Sequence, residues 1–143
     1  MVALSSETIH ASCVAIGGRA VLIEGVSGSG KSDLALRLID RGAQLVSDDY
    51  TVVQRREARL IARAPATIAG RIEVRGVGIV TLPHADEIPV AIIVSIGPKV
   101  ARLPERELRL IAGVMVPVLP VSPHEASTPL KIEHALALYG LPA

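Results

Sequence analysis

The run Gly25-Val26-Ser27-Gly28-Ser29-Gly30-Lys31-Ser32 suits phosphate chemistry in both its residue types and its spacing. Glycines let successive backbone N–H groups point into one concavity, where they can hold phosphate oxygens. A helix that starts at the end of such a loop adds the positive end of its dipole. Lys31 can reach the β- and γ-phosphates, and the Ser32 hydroxyl can bind Mg²⁺. Gly25, Val26, Ser27, Gly28, Ser29, Gly30, Lys31 and Ser32 are therefore the candidate nucleotide-binding residues, with ATP and Mg²⁺ as the expected cofactors. The loop does not say where the phosphate goes.

The acceptor side must come from elsewhere. Asp48-Asp49 follows a short apolar run. In parallel sheets ligands sit at the carboxyl ends of the strands, so the acid pair and the glycine loop face one crevice. In extended backbone the two carboxylates point to opposite faces, one to the phosphates and the other to Mg²⁺ or solvent. A carboxylate there can accept a hydroxyl proton or help hold the metal. The bland alternative is a solvated cap at a strand end. Asp48 is the candidate base and Asp49 a candidate metal ligand. His10 enters through pairing: with Gly17-Gly18 at the centre of a hairpin, Ile16 faces Arg19, Val14 faces Val21, and His10 faces Gly25. A His there can hydrogen-bond phosphates or steady the catalytic acid. The competing reading is a surface His on an N-terminal strand.

Glu73-Val74-Arg75-Gly76-Val77-Gly78 lacks the third glycine and the following helix of a dinucleotide fingerprint. Glu73 can bind Mg²⁺, and Arg75 can neutralise phosphate charge. Gly76 and Gly78 suggest backbone close to a ligand, although sequence chemistry alone slightly favours a bulged strand with a surface ion pair. Arg102 precedes a predicted helix start and is either directed at phosphate or a surface charge. His84, His124 and His134 have no Cys or His neighbours at zinc-ligand spacing and read as surface residues.

These residues need elements to position them. Val14–Ile16, Gly17-Gly18 and Arg19–Glu24 predict a β-hairpin. Asp33–Arg41 predicts a helix stopped by Gly42, and Ala43–Val46 a strand parallel to the one before the loop. Thr51–Val53 and Leu60–Ala62 predict strands around a charged turn. Ile72–Thr81 predicts a bent or bulged strand or a loop. Pro89–Val94 predicts a buried strand, Glu105–Ala112 a helix, and Val114–Val121 an edge strand or extended segment carrying Pro117 and Pro120. Thr128–Tyr139 predicts a helix capped by Ser127 or Thr128 and ended by Gly140. The expected architecture is α/β: one domain over residues 1–143, either three-layered or a mixed, β-rich sheet with helices on its faces.

Composition removes several classes. Of 143 residues, half are hydrophobic and a fifth charged, which suits a globular domain. Two Tyr are the only aromatics apart from His, so the core is Val, Ile, Leu and Ala, and platforms for stacking single-stranded bases are missing. Fifteen basic against fourteen acidic residues give net +1, which points to neither nucleic acid nor an anionic membrane. The single Cys13 allows no internal disulfide and reads as a small apolar strand residue. The first residues lack a signal-peptide pattern, and Ile88–Ile96 is half a membrane span. The expectation is a cytoplasmic protein with no nucleic-acid or membrane partner.

Taken together, His10 ahead of the loop, Gly25–Ser32, Val46-Ser47-Asp48-Asp49 and Glu73–Val80 resemble the catalytic domain of HPr kinase/phosphorylase. The resemblance runs from about His10 to Val121. It implies a P-loop fold of the phosphoenolpyruvate-carboxykinase-like type. It also implies phosphorylation of a serine on an HPr-type phosphocarrier protein of the bacterial phosphotransferase system, with reversal by phosphorolysis in many members. By resemblance, Asp48 is the acid that exchanges the serine proton, and Lys31 and His10 lie beside the phosphates. Ser32 and Glu73 are Mg²⁺ ligands, and Arg102 matches an active-site arginine. The resemblance further implies a homohexamer and the short form of the family, without its longer N-terminal domain. One departure stands out. Where members usually carry a basic, glycine-containing run linked to the reverse reaction, this chain has Leu119-Pro120-Val121-Ser122-Pro123. Two other functions use the same loop: a P-loop small-molecule kinase, which usually carries an arginine-bearing lid in a mostly helical second half, and a non-catalytic nucleotide-sensing module, against which the acid pair argues.

Overall fold

The computed structural model describes residues 6–143. Gly17 and Gly18 both take left-handed backbone, with φ of 57° and 81°. Such a two-residue turn matches the twist of the strands it joins. It links β2 (Ala11–Ile16) to β3 (Arg19–Glu24), with Ile16 opposite Arg19 and Val14 opposite Val21, as the sequence pairing predicts. The glycine loop follows, then α1 (Lys31–Asp40) and β4 (Gln44–Ser47). β3 and β4 run in the same direction, as expected, but β2 lies between them, antiparallel to both.

The middle of the chain is β-rich. β1 (Ser6–Ile9) pairs with β5 (Thr51–Arg56), and β5 with β6 (Arg59–Arg63). β7 (Arg71–Val74) and β8 (Gly78–Thr81) form a separate two-stranded ribbon. The long β9 (Ile88–Ile96) organises the rest: β3 runs parallel along one edge, while β6 near its start and β11 (Val114–Val121) near its end share the other. β10 (Glu107–Ile111) pairs with β11, and α2 (Thr128–Tyr139) closes the chain. The main sheet thus has nine strands in mixed directions.

Strand alternation sorts the core into two clusters. Val14, Val21, Ile23, Ile92 and Val94 pack with Leu34, Ala35 and Leu38 of α1 and with Ile132, Ala135 and Leu136 of α2. Their neighbours Cys13, Ala15, Ala20, Leu22 and Ile93 face the other way, onto Val53, Leu60, Val116 and Val118. This is the period-2 pattern of a sheet buried on both sides. Helices therefore do not cover both faces, as the sequence suggests. Both lie on one face, and the sheet's own outer strands curl over the other. Each fully buried Leu, Ile or Val contributes about 1.5–3 kcal/mol.

Two expected elements differ. Glu105–Ala112 is not a helix: Glu107–Ile111 is β10, joined to β11 through Ala112 and Gly113, both at positive φ. Leu108 and Leu110 point out to solvent, 57% and 63% exposed, while Ile111 is buried, so the run alternates like a strand. Good helix formers lose here to pairing with β11. Ile72–Thr81 is a hairpin ribbon rather than one bent strand, because Gly76 and Gly78 (φ 84° and 132°) turn the chain back. At α2 the expected cap is also replaced: Ser127 makes no capping bond, and the Thr128 hydroxyl donates to Ser122 O instead. No helix among the described residues is long and apolar enough to cross a membrane.

Candidate active site

The hairpin delivers Glu24 to the start of the glycine loop, and α1 begins where the loop ends. Gly30 stands at the helix N-cap with φ 103°, a conformation that glycine reaches without a Cβ penalty. Gly25 is needed for space instead: a Cβ there would meet Ser29 Oγ at 2.5 Å and Ile96 Cβ at 3.2 Å. The Ser29 N–H donates to Val26 O at 3.0 Å and folds the loop tightly. Lys31 is only 6% exposed. Its ammonium lies along the loop and donates to Gly25 O (3.0 Å) and Val26 O (3.3 Å), which gives the buried charge hydrogen-bond partners.

β4 runs out at Ser47, and the chain then turns sharply. Tyr50 N–H donates to Asp48 O at 2.7 Å, and Asp49 between them has φ 67°. The acid pair is therefore kinked, not extended, and the two carboxylates take different surroundings. Asp48 is buried. Its Oδ1 accepts from Ser32 Oγ at 2.6 Å and from Ser12 Oγ at 3.0 Å, and its Oδ2 accepts from the Glu73 backbone N–H at 3.0 Å. Asp49 is more open, and its Oδ1 lies 2.8 Å from His10 Nε2. An ionised carboxylate only accepts, which places the proton on Nε2. The His10 ring stacks on Tyr50, with centroids 5.1 Å apart.

A cleft of about 480 Å³ brings the predicted residues together. Ser27, Gly28 and Gly30 line it from the loop, Lys31 and Ser32 from α1, Asp48 and Asp49 from the end of β4, and Glu73 and Arg75 from the β7–β8 ribbon. The rest of the predicted set lies off its wall. Gly25, Val26 and Ser29 shape the loop, Gly76 and Gly78 turn the ribbon, and His10 reaches the site through Asp49. Arg102 sits on an exposed stretch between β9 and β10, outside the lining.

The donors in the cleft suit a hard cation. Ser32, whose side chain carries a hydroxyl, and the carboxylate residues Asp48, Asp49 and Glu73 all line this cleft. No group of three His, Cys, Asp or Glu residues among those described is gathered tightly enough to cage a metal alone. That combination fits Mg²⁺, which uses one or two protein ligands and completes its shell with water and substrate phosphate. Ser32 is joined to Asp48 rather than to Asp49, whose carboxylate is engaged by His10.

Two participants escape the sequence reading. Ser12 is a polar residue inside the buried run of β2, and Tyr50 is a ring at the kink. The Ser12 signal was a hydroxyl where every flanking residue from Ala11 to Ala15 is apolar. Cys13 has no place in the chemistry: burial pushes its thiol well above the usual range, which leaves it protonated and inert.

The chain can now be set beside known proteins. It is 46% identical over 81 residues to HPr kinase/phosphorylase of Clostridium acetobutylicum, covering 56% of this chain and 27% of that protein. It is 44% identical over 75 residues to HPr kinase/phosphorylase of Lactiplantibacillus plantarum, covering 52% of this chain and 24% of that one. The chain thus spans about a quarter of the length of these relatives. The solved HPr(Ser) kinase/phosphatase of Coxiella burnetii superposes with a TM-score of 0.79 at 31% identity, over 92% of this chain and 94% of that one. The curled, mixed α/β fold is therefore shared with a solved kinase/phosphatase. The family model for the HPr serine kinase C-terminal domain matches residues 2–85, the stretch that holds the loop, the acid pair and the ribbon, and the chain belongs to that family.

Proposed function

We propose that this protein transfers the terminal phosphoryl group of ATP to a serine of an HPr-type phosphocarrier protein of the bacterial phosphotransferase system. The observation that carries the reading is the placement of a buried carboxylate, Asp48, in one cleft with a glycine loop and Lys31. A sensing module needs the loop but has no use for a base beside it. A serine hydroxyl is a weak nucleophile, and phosphoryl transfer is served by positioning, charge neutralisation and a group to receive the proton.

Each residue has a share in this reading. Backbone N–H groups from Gly25 to Ser32 cradle the phosphates, and Lys31 exchanges its loop carbonyls for phosphate oxygens. Ser32 and Glu73 hold Mg²⁺, with Asp49 at its margin; the ion, when bound, offsets charge on the transferring group. Asp48 takes the proton from the attacking serine. Arg75, which lines the cleft, neutralises phosphate charge, and His10 fixes Asp49. Arg102 reaches the phosphates only if its exposed segment moves inward on binding. Residues 1–143 act as one catalytic domain of the P-loop, phosphoenolpyruvate-carboxykinase-like type, and the family reading adds a cytoplasmic homohexamer. Exposed Leu108, Leu110 and Leu138 supply apolar surface for such an assembly. The run Leu119–Pro123 ends beside the loop, since a Cβ on Gly30 would lie 3.6 Å from Pro123 Cβ. The run itself carries no basic residue, which counts against the reverse phosphorolysis reaction in this chain.

The test is transfer itself: a purified HPr-type carrier gains one phosphate when incubated with this protein, ATP and Mg²⁺, and its serine-to-alanine variant gains none. Nucleotide binding without transfer to any carrier would move the assignment to a small-molecule kinase or a sensor.

A further inference from the structure

We infer that Ser12 is a positioning residue for the acid pair, a role that rests on the kinase reading of the cleft. Ser12 is 0% exposed in the middle of an apolar strand. A hydroxyl buried there is costly unless it is hydrogen-bonded. Its bonds both go to the acid pair. Ser12 Oγ donates its one proton to Asp48 Oδ1 at 3.0 Å and accepts the Asp49 backbone N–H at 3.0 Å. One oxygen atom on β2 therefore fixes the orientation of the Asp48 carboxylate and the backbone of the next residue.

That backbone needs holding. Asp49 sits at φ 67°, in the left-handed region that a residue with a Cβ seldom adopts. The kink aims the Asp49 carboxylate at His10 and leaves Asp48 turned into the cleft. Without the Ser12 acceptor, the Asp49 N–H loses its partner and the kink loses a restraint.

Ser12 also differs from the other hydroxyl on Asp48 Oδ1. Ser32 stands on the first turn of α1, where a metal ligand belongs, and its hydroxyl serves the metal once nucleotide binds. Ser12 does not line the cleft and has no such second task. Both of its hydrogen bonds are spent on the acid pair. Its contribution is to kcat, not to nucleotide binding.

The test compares full-length wild-type protein with Ser12→Ala, which removes the hydroxyl, and Ser12→Cys, which keeps the volume but donates weakly. Two quantities are read. One is the side-chain carboxyl ¹³C resonance of Asp48 in nucleotide-free protein at neutral pH, assigned through Asp48→Asn. The other is kcat and the KM for ATP in carrier phosphorylation. The expected result is a displaced Asp48 resonance and a kcat lower by roughly tenfold or more in both variants, with KM for ATP unchanged. A smaller folded fraction would also lower the apparent kcat at unchanged KM, so kcat is taken per nucleotide-binding site titrated in each preparation, and if Ser12→Ala fails to fold, Ser12→Cys decides. Variants that turn over at the wild-type rate overturn the positioning role, and an unmoved resonance overturns the contact. Wild-type protein that transfers nothing overturns the kinase reading alone, because the resonance still reports whether Ser12 holds Asp48.

Discussion

Ser32 and Asp48 are joined by one short hydrogen bond, Ser32 Oγ to Asp48 Oδ1 at 2.6 Å. The expected metal ligand and the expected base thus share a contact. The bond spans sixteen residues of sequence and ties the start of α1 to the end of β4. In the proposed reading Ser32 would hold Mg²⁺ through a lone pair of this same oxygen, whose proton goes to Asp48, so the metal site and the base would be linked through one hydroxyl.

Replacing Ser32 by Ala breaks this coupling from one side. Asp48 keeps Ser12 Oγ and the Glu73 N–H, so the base stays in place. The half-saturating Mg²⁺ concentration in the transfer assay should rise about tenfold, consistent with the loss of one ligand oxygen. An unchanged Mg²⁺ dependence would remove Ser32 from the metal site.

Lys31→Met should abolish the nucleotide response while leaving the fold intact. The ammonium bonds only to carbonyls of its own loop, so the free protein loses little. A ligand that binds the folded state raises Tm. Wild-type protein should show this rise with Mg·ATP, and Lys31→Met should show none, as read by scanning calorimetry.

Gly25 and Ser29 make a paired prediction. Gly25→Ala drives a Cβ to within 2.5 Å of Ser29 Oγ, forces the loop to shift, and should cost about 1–3 kcal/mol together with nucleotide affinity. Ser29 Oγ is itself buried with no hydrogen-bond partner. Ser29→Ala should therefore leave stability unchanged or raise it. The double variant should recover part of the Gly25→Ala loss, because the atom in collision is gone. Urea unfolding of the four proteins checks the three stability statements, and nucleotide titration checks the affinity.

Cys13 sets a pH dependence whose sign follows from burial. Its folded thiol is pushed far above the ordinary value of 9.0. The resulting stability is fully present below that value, where folded and unfolded thiols are both protonated. It is lost as pH rises further, because only the unfolded chain ionises. The slope is about 1.4 kcal/mol per pH unit. Cys13→Ala should unfold with a correspondingly flatter alkaline limb, and native wild-type protein should resist a thiol reagent at neutral pH until it is denatured.

Much of the site was legible because its parts are local. Two glycines set the hairpin and the loop spacing set the helix start, so the pairing of Val14 with Val21 and the position of Lys31 both follow from short-range rules. Three features were not legible for the opposite reason. The kink at Asp49 depends on Ser12, which lies thirty-seven residues away. The strand at Glu107–Ile111 depends on a partner, β11, which overrides the helical preference of Glu, Leu and Arg. The ribbon at Ile72–Thr81 depends on which way two glycines turn, and glycine allows several. The covering of the second sheet face by curled strands likewise follows from long-range pairing around β9.

The most direct test of the account is intact-mass spectrometry of an HPr-type carrier incubated with Mg·ATP and either wild-type or Asp48→Asn protein, with nucleotide affinity measured on both. The account predicts one added phosphate with the wild type, a transfer rate lower by about 10²–10⁴ with Asp48→Asn, and nucleotide affinity that is nearly the same in the two. An Asp48→Asn protein that binds nucleotide and transfers at the wild-type rate would contradict it.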